Sequence, residues 1–223
     1  MRQAAPACPV CEQASTRLFS VVGGREYLRC KTCEATFLAP AQRPDRAGEK
    51  REYDRHRNEV DDPGYRRFLG RLADPLLNRL PANSEGLDYG CGPGPALAAM
   101  LEEAGHRIRL YDPIYHPDTA ALTRRYDFVT CTEVVEHMHC PAREFRRIDT
   151  LLRPDGLLGV MTIFQTDDAR FAGWHYRRDP THVVFYREST LALVAERMGW
   201  AIEIPRPNVA IFRKPGSSAP RLP

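Results

Sequence analysis

Four cysteines carry the most specific chemistry in this chain. Cys8 and Cys11 form one C-x-x-C pair and Cys30 and Cys33 a second, with eighteen residues between the pairs. Two such knuckles place four thiolates tetrahedrally around one Zn²⁺. The ligands bind as anions, so the metal becomes part of the folding free energy. Four sulfurs leave no open coordination position, which makes this zinc structural and not catalytic. Disulfides or a redox pair are the alternatives, and an intracellular enzyme domain argues against structural disulfides. Cys91, Cys131 and Cys140 stand at unrelated spacings and read as small apolar residues.

A second constellation is built from glycine. Leu87-Asp88-Tyr89 reads as the end of a buried strand, followed by Gly90-Cys91-Gly92-Pro93-Gly94 and then a helix. A glycine turn lets the main chain approach a ligand where a Cβ would clash. Dinucleotide sites use G-x-G-x-x-G to hold a pyrophosphate at a helix N-terminus. Here the third glycine comes one residue early, and the turn has no Lys or Arg to meet a phosphate. Eighteen positions after Gly94, Asp112 closes a second apolar strand, Arg107-Ile108-Arg109-Leu110-Tyr111. A carboxylate at that strand tip suits two ribose hydroxyls. An adenosine held without phosphate points to S-adenosylmethionine. A bare βα turn or a nicotinamide site is the competing reading of the glycines.

The segment Asp88 to Gly94 resembles the first motif of the class I S-adenosylmethionine-dependent methyltransferases, and Asp112 matches that family's ribose acid. Thr130-Cys131-Thr132-Glu133-Val134-Val135-Glu136-His137-Met138 is similar to the segment after the family's fourth strand, above all in the ubiquinone O-methyltransferase-like branch. The run from Leu151 to Val160 resembles the turn before its fifth strand. The resemblance covers residues 85–213. It implies an α/β, Rossmann-like doubly wound sheet and cofactor contacts at Asp88, Tyr89, Gly90, Cys91, Gly92, Gly94, Asp112, Pro113, Thr132 and Glu133. Only about fifteen residues separate Asp112 from the strand at Asp127, where the family fits a further strand. This chain shortens or omits it, and the adenine contacts do not carry over.

The elements that position these groups follow from periodicity. The strings Leu18-Phe19-Ser20-Val21-Val22 and Arg25-Glu26-Tyr27-Leu28-Arg29-Cys30 flank Gly23-Gly24 and predict a hairpin, so residues 1–40 form a small zinc ribbon. Residues 41–84 are a charged linker and helical lid. Tyr65, Phe68, Leu69, Leu72, Leu76, Leu77 and Leu80 recur at helical spacing, with a break or kink near Pro75. Tyr53, His56 and Asn58 either reach in from this lid or lie on the surface. A helix is expected to begin at Pro95 and stop at Gly105, and another to run from an N-cap at Ser189 to Gly199. Residues 85–215 form the cofactor-binding domain, and residues 216–223 a disordered tail.

Within that domain, residues 164–187 leave the carboxyl end of a strand, where open α/β sheets bind their ligands. This insert is expected to cover the substrate, with Trp174, His175, Tyr176, Arg178, His182 and Tyr186 as contacts. Methyl transfer from a sulfonium needs a positioned nucleophile and, where a proton must leave, a base near neutral pH. Histidine is the simplest such base. His182 and His137 are the candidates, with Glu133 lining the methionine end of the cofactor. Each lone histidine is more simply readable as a structural hydrogen-bonder.

Composition sets the outer bounds. With 223 residues, 43% hydrophobic content and a formal charge of +3, the chain holds one full α/β domain and an appendage. No apolar run is long enough to span a membrane, and the first residues lack a signal-peptide core, so a cytoplasmic enzyme is expected. The leading expectation is a small-molecule methyltransferase. An RNA methyltransferase gripping RNA with its ribbon is the alternative, although no focused basic run supports it. A non-catalytic zinc-ribbon binding protein is the third reading.

Overall fold

The computed structural model describes residues 6–55 and 59–216. His56, Asn58 and nearly all of the expected tail lie outside the described residues. The N-terminal segment forms β1 (Thr16–Val22), β2 (Arg25–Cys30) and β3 (Thr36–Leu38). Two helices follow, α1 (Arg46–Tyr53) and α2 (Pro63–Leu77). The α/β portion then runs β4 (Glu85–Tyr89), α3 (Ala96–Glu103), β5 (Arg107–Tyr111), β6 (Tyr126–Thr132), α4 (Pro141–Leu151) and β7 (Leu152–Met161). A two-residue strand β8 (Val184–Phe185), α5 (Glu188–Met198), β9 (Ala201–Arg206) and β10 (Val209–Arg213) complete the chain.

The main sheet has the order β5-β4-β6-β7-β10-β9. Strands β4 to β7 pair in parallel and β10 runs antiparallel to both its neighbours. Successive residues of the central strands feed two separate cores. On β10, Val209 and Ile211 join the cluster that contains Leu69, Leu72 and Leu76 of α2 and Leu97 and Leu101 of α3. Ala210 and Phe212 join the cluster that contains Phe145 and Ile148 of α4 and Leu191 and Val194 of α5. This period of two on a sheet covered on both faces is what makes the fold doubly wound.

β4 is followed by β5 on one side and β6 pairs on its other side, so the strand order reverses at β4. That reversal opens a crevice beyond the carboxyl ends of these strands. Between Asp112 and β6 there is no strand among the described residues, only a 3-10 turn at Thr119–Thr123; of the shortening or omission expected from the interval length, the structure shows omission.

α2 contains Pro75 in its last turn and ends at Leu77. Two local boundaries differ from the expectations. Pro95 is the residue before α3, with φ −78° and ψ 60°, and is not its first helical residue. Arg187, not Ser189, sits at the N-cap of α5; the Ser189 hydroxyl instead donates to Glu34 at 2.6 Å. Gly199 closes α5 in the left-handed conformation as expected.

The ribbon is not a separate appendage. Its sheet has the order β1-β2-β3-β8, and β8 comes from the insert. Thr36 pairs with Phe185 and Phe37 with Val184. Tyr27 and Phe37 of the ribbon share one core with Phe171, Phe185 and Tyr186. Buried Arg29 reaches Asp168 at 2.7 Å, and the Thr190 hydroxyl donates to the Cys33 carbonyl at 2.7 Å. No helix among the described residues is long and apolar enough to cross a membrane.

Candidate functional site

A cavity of about 920 Å³ opens at the strand reversal, and all ten residues expected at a cofactor line it. Asp88, Tyr89, Gly90, Cys91, Gly92 and Gly94 come from β4 and its turn. Asp112 and Pro113 follow β5, and Thr132 and Glu133 close β6. The turn is stitched to β5: the Gly90 N–H donates to the Tyr111 carbonyl at 2.7 Å and the Gly92 N–H to Asp112 Oδ2 at 3.1 Å. Gly90 has φ +84°, and a Cβ there would stand 2.6 Å from a Val134 methyl, so the turn and the segment after β6 approach closely only because the residue is glycine.

The Asp112 carboxylate does more than wait for a ligand. Its Oδ1 accepts the N–H groups of Ile114 at 2.8 Å and Tyr115 at 3.0 Å, which turns the chain away from β5. Asp88 is buried beneath the turn, accepts the Thr130 hydroxyl at 2.8 Å, and is pushed up to about 6 by that burial. Burial likewise pushes the Cys91 thiol upward, which makes it a poor nucleophile.

Helix α1 forms one wall of the cavity through Arg46, Glu49 and Tyr53. Arg46 donates to the Pro113 carbonyl at 2.7 Å and the Tyr115 hydroxyl donates to Asp54 at 2.7 Å, tying this lid to the loop after β5. Tyr53 reaches in and meets the His137 ring edge-on at 5.2 Å. Tyr65, Phe68 and Leu69 of α2 add apolar surface.

The two candidate bases are neighbours. The His137 and His182 rings lie 4.7 Å apart, and both line the cavity. His137 Nδ1 faces the Thr181 carbonyl at 3.1 Å and His182 Nδ1 faces the Tyr176 carbonyl at 2.7 Å. A carbonyl oxygen only accepts, so each Nδ1 carries the proton and each Nε2 presents a lone pair. Burial lowers the pKa of His137, which keeps its ring neutral. Asp179 also lines the cavity, with Oδ2 3.8 Å from His182 Nε2.

Below them Glu133 and Tyr176 meet in a polar cluster with Glu136, a residue that sequence reasoning did not single out. The Tyr176 hydroxyl donates to Glu136 Oε1 at 2.6 Å and lies 3.1 Å from Glu133 Oε2. Glu136 is fully buried, and its Oε2 and Glu133 Oε1 have no hydrogen-bond partner. Glu133 sits in the left-handed region with φ +52°, held by its N–H to the Met161 carbonyl at 2.8 Å. Burial, with Glu136 adjacent, pushes its carboxyl up to about 9. The signal available in the sequence was the three-residue step from Glu133 to Glu136 with His137 beside it, which a single tight turn brings together.

The insert behaves differently from its expectation. Of its six proposed contacts only His182 lines the cavity, together with Asp179. Trp174 packs on Tyr176 and Phe185 at 5.3 and 5.7 Å, and Phe171 packs on Phe19 and Tyr27 of the ribbon. Tyr186 is buried and donates to the Val135 carbonyl at 2.9 Å. His175 and Arg178 are exposed. Phe171 and Phe185 bury apolar surface against Tyr27 of the ribbon, and the buried Tyr176 and Tyr186 hydroxyls find partners on the segment after β6.

The four knuckle cysteines are buried and converge, with ligand atoms all within 4.8 Å of one another. Cys8 Sγ lies 3.5 Å from Cys33 Sγ, and Cys11 Sγ 3.5 Å from Cys30 Sγ. A tetrahedral zinc with Zn–S of about 2.3 Å needs sulfur–sulfur edges of about 3.8 Å, which these spacings approach. The Cys8–Cys33 hydrogen bond lowers the Cys8 thiol and raises its partner Cys33, so the metal reading rests on the convergence of the four sulfurs.

The sequence profile of the family described as a methyltransferase domain matches residues 53–203. A ubiquinone biosynthesis O-methyltransferase of Aeromonas salmonicida is 33% identical over 95 residues, which are 42% of this chain and 40% of that protein. Its counterpart from Actinobacillus pleuropneumoniae is 28% identical over 101 residues, 44% of this chain and 43% of that one. The chain thus spans about two fifths of the length of the curated relatives it matches. A crystal structure of Burkholderia thailandensis 1,6-didemethyltoxoflavin-N1-methyltransferase, with its substrate and S-adenosylhomocysteine bound, shares the fold at a TM-score of 0.55 and 20% identity, covering 89% of this chain and 99% of that one.

Proposed function

The chain belongs to the methyltransferase domain family, and from that premise we propose that it transfers a methyl group from S-adenosylmethionine to a small-molecule acceptor. The observation that carries this reading is the convergence of all ten expected cofactor residues on one cavity at the strand reversal. The residues fit such a ligand. The Gly90 and Gly92 backbone has no Cβ in the way, Asp112 offers oxygen acceptors, and no cation in the turn calls for a phosphate. Bound there, the cofactor supplies an electrophilic methyl group on a positively charged sulfur.

The side chains of the protein divide the remaining work. The turn and Asp112 hold the nucleoside, while Thr132 and Glu133 face the amino-acid end. The lid residues Tyr53, Tyr65 and Phe68 exclude water, which strengthens every charge interaction inside. The acceptor's proton leaves through the His137–His182 pair, which lines the cavity and keeps its Nε2 lone pairs free of protons. The ribbon holds one structural zinc on Cys8, Cys11, Cys30 and Cys33, and through β3 it fixes the segment that bears His182. The ubiquinone biosynthesis enzymes among its relatives make oxygen the favoured accepting atom.

The test is transfer of label from methyl-labelled S-adenosylmethionine into fractionated cell extract. Label in the small-molecule fraction supports the reading. Label confined to RNA or protein overturns the acceptor class, and failure to bind S-adenosylhomocysteine overturns the cofactor.

A further inference from the structure

We propose that helix α4 reads the adenine base of the cofactor, with the Glu144 carboxylate accepting from its exocyclic amino group. The inference rests on the S-adenosylmethionine reading and adds residues that the ten expected contacts do not include. The stretch after β5 leaves this part of the cavity without a wall of its own. Tyr111, Asp112, Pro113, Ile114 and Tyr115 line the cavity, but none of residues 116–131 does. The 3-10 turn at Thr119–Thr123 occupies part of that interval, and β5 is the edge strand of the sheet.

Helix α4 fills the gap. Cys140 at its N-cap and Arg143, Glu144 and Arg147 within it all line the cavity. They stand at i, i+3, i+4 and i+7, which is one face of a helix. Phe145 and Ile148 on another face pack into the core. The Glu144 side chain is only 13% exposed. Its Oε2 accepts the Tyr89 hydroxyl at 2.6 Å, and its Oε1 accepts Arg143 Nε at 3.1 Å. Arg147 Nη1 lies 3.6 Å from Oε2. A carboxylate has about four lone-pair sites, so it keeps acceptor capacity after these bonds. The Tyr89 ring lies 5.2 Å from the ring of Tyr111, which directly precedes Asp112. Asp112, Tyr111, Tyr89 and Glu144 thus form one continuous wall, from the carboxylate assigned to the ribose to the one assigned to the base.

The chemistry of the base fits this wall. Adenine presents a flat π-face and an amino group that donates. Tyr89 and Tyr111 are buried yet line the cavity, so they offer it aromatic surface. A carboxylate accepts and cannot donate, so it favours an amino group over a carbonyl at the same ring position. Hypoxanthine carries a carbonyl there and would bring oxygen against negative charge. Arg143 and Arg147 touch the carboxylate and act as positioning residues. A Glu144 that served only as partner to the Tyr89 hydroxyl would give no preference between the two bases.

The test is calorimetric titration with S-adenosylhomocysteine and with S-inosylhomocysteine, in which a carbonyl replaces the amino group. The wild type is expected to bind the adenine compound about 10-fold or more tightly than the hypoxanthine one. Glu144→Gln keeps the size of the side chain and can turn an amide N–H toward a carbonyl. It is expected to shrink the preference to about threefold or less, with melting temperature as the fold control. Should that variant not fold, Glu144→Asp, which withdraws the carboxylate by one methylene, is read in the same way. Equal affinities of the wild type for the two compounds overturn the assignment, as does an undiminished preference in the folded variant. A wild type that binds neither compound overturns the cofactor reading itself, and this assignment with it.

Discussion

The N–H of Leu38 donates to the carbonyl of Val183 at 2.9 Å, which joins the last strand of the cysteine ribbon to the residue directly after His182. On the other side the Val183 N–H donates to the Glu136 carbonyl at 2.9 Å. The segment carrying His182 is therefore clamped between the ribbon and the turn that carries Glu136 and His137.

This clamp predicts that the ribbon controls the acceptor end of the cavity more than the cofactor end. Cys33→Ser is expected to lose zinc and to lower turnover at least 10-fold, because metal binding is folding free energy for a segment this small. The affinity for S-adenosylhomocysteine should fall less, since the tips of β4, β5 and β6 do not depend on the ribbon. Zinc content by mass spectrometry, calorimetry and turnover on the same sample check this. Full turnover in a zinc-free variant would show that the clamp is dispensable.

His182→Ala should reduce turnover by about 100-fold or more, the range for loss of a group that handles a proton. Cofactor affinity should remain nearly unchanged. A large loss of cofactor affinity instead would reassign His182 to the cofactor.

Asp112 supports the turn and, in the proposed function, the nucleoside, and two substitutions separate these roles. Asp112→Ala removes the acceptors for Gly92, Ile114 and Tyr115 and should raise the dissociation constant of S-adenosylhomocysteine by about 10-fold or more. Asp112→Asn keeps one acceptor oxygen for the Ile114 and Tyr115 amides and should fall between that variant and the wild type. Equal affinities for all three proteins would exclude a nucleoside role for this residue.

Asp88 gives a pH signature. Its folded value, raised to about 6 by burial, lies above that of an unfolded aspartate. Between about pH 4 and pH 6 the folded chain keeps a proton that the unfolded chain has released, so this component of stability falls as pH rises and stays low above pH 6. Asp88→Asn removes the component. Its stability relative to wild type should grow across that window by roughly 2–3 kcal/mol, read from urea unfolding at several pH values. A difference independent of pH would mean that Asp88 ionises normally.

The glycine turn, Asp112 and the four ribbon cysteines were legible because their chemistry is encoded in short spacings. Gly90, Gly92 and Gly94 lie on one turn, and each cysteine pair on one knuckle, wherever the rest of the chain goes. Even the absent strand could be read, since about fifteen residues cannot cross the sheet and return. The direction of the insert could not be read. Trp174, Tyr176 and Tyr186 have the same types whether they face a substrate or a core. Only the tertiary structure seated Phe171 and Phe185 on Tyr27 of the ribbon and aimed the Tyr176 and Tyr186 hydroxyls at the segment after β6.

The sequence by itself thus determined the glycine turn, the cysteine knuckles and the family, because each rests on contacts within a few residues. The tertiary structure alone decided which histidines meet and what holds them. His137 and the Thr181 carbonyl are 44 positions apart, and Thr190 and the Cys33 carbonyl 157. Contacts at such separations depend on strand order, register and the burial of aromatic surface, which no local spacing records.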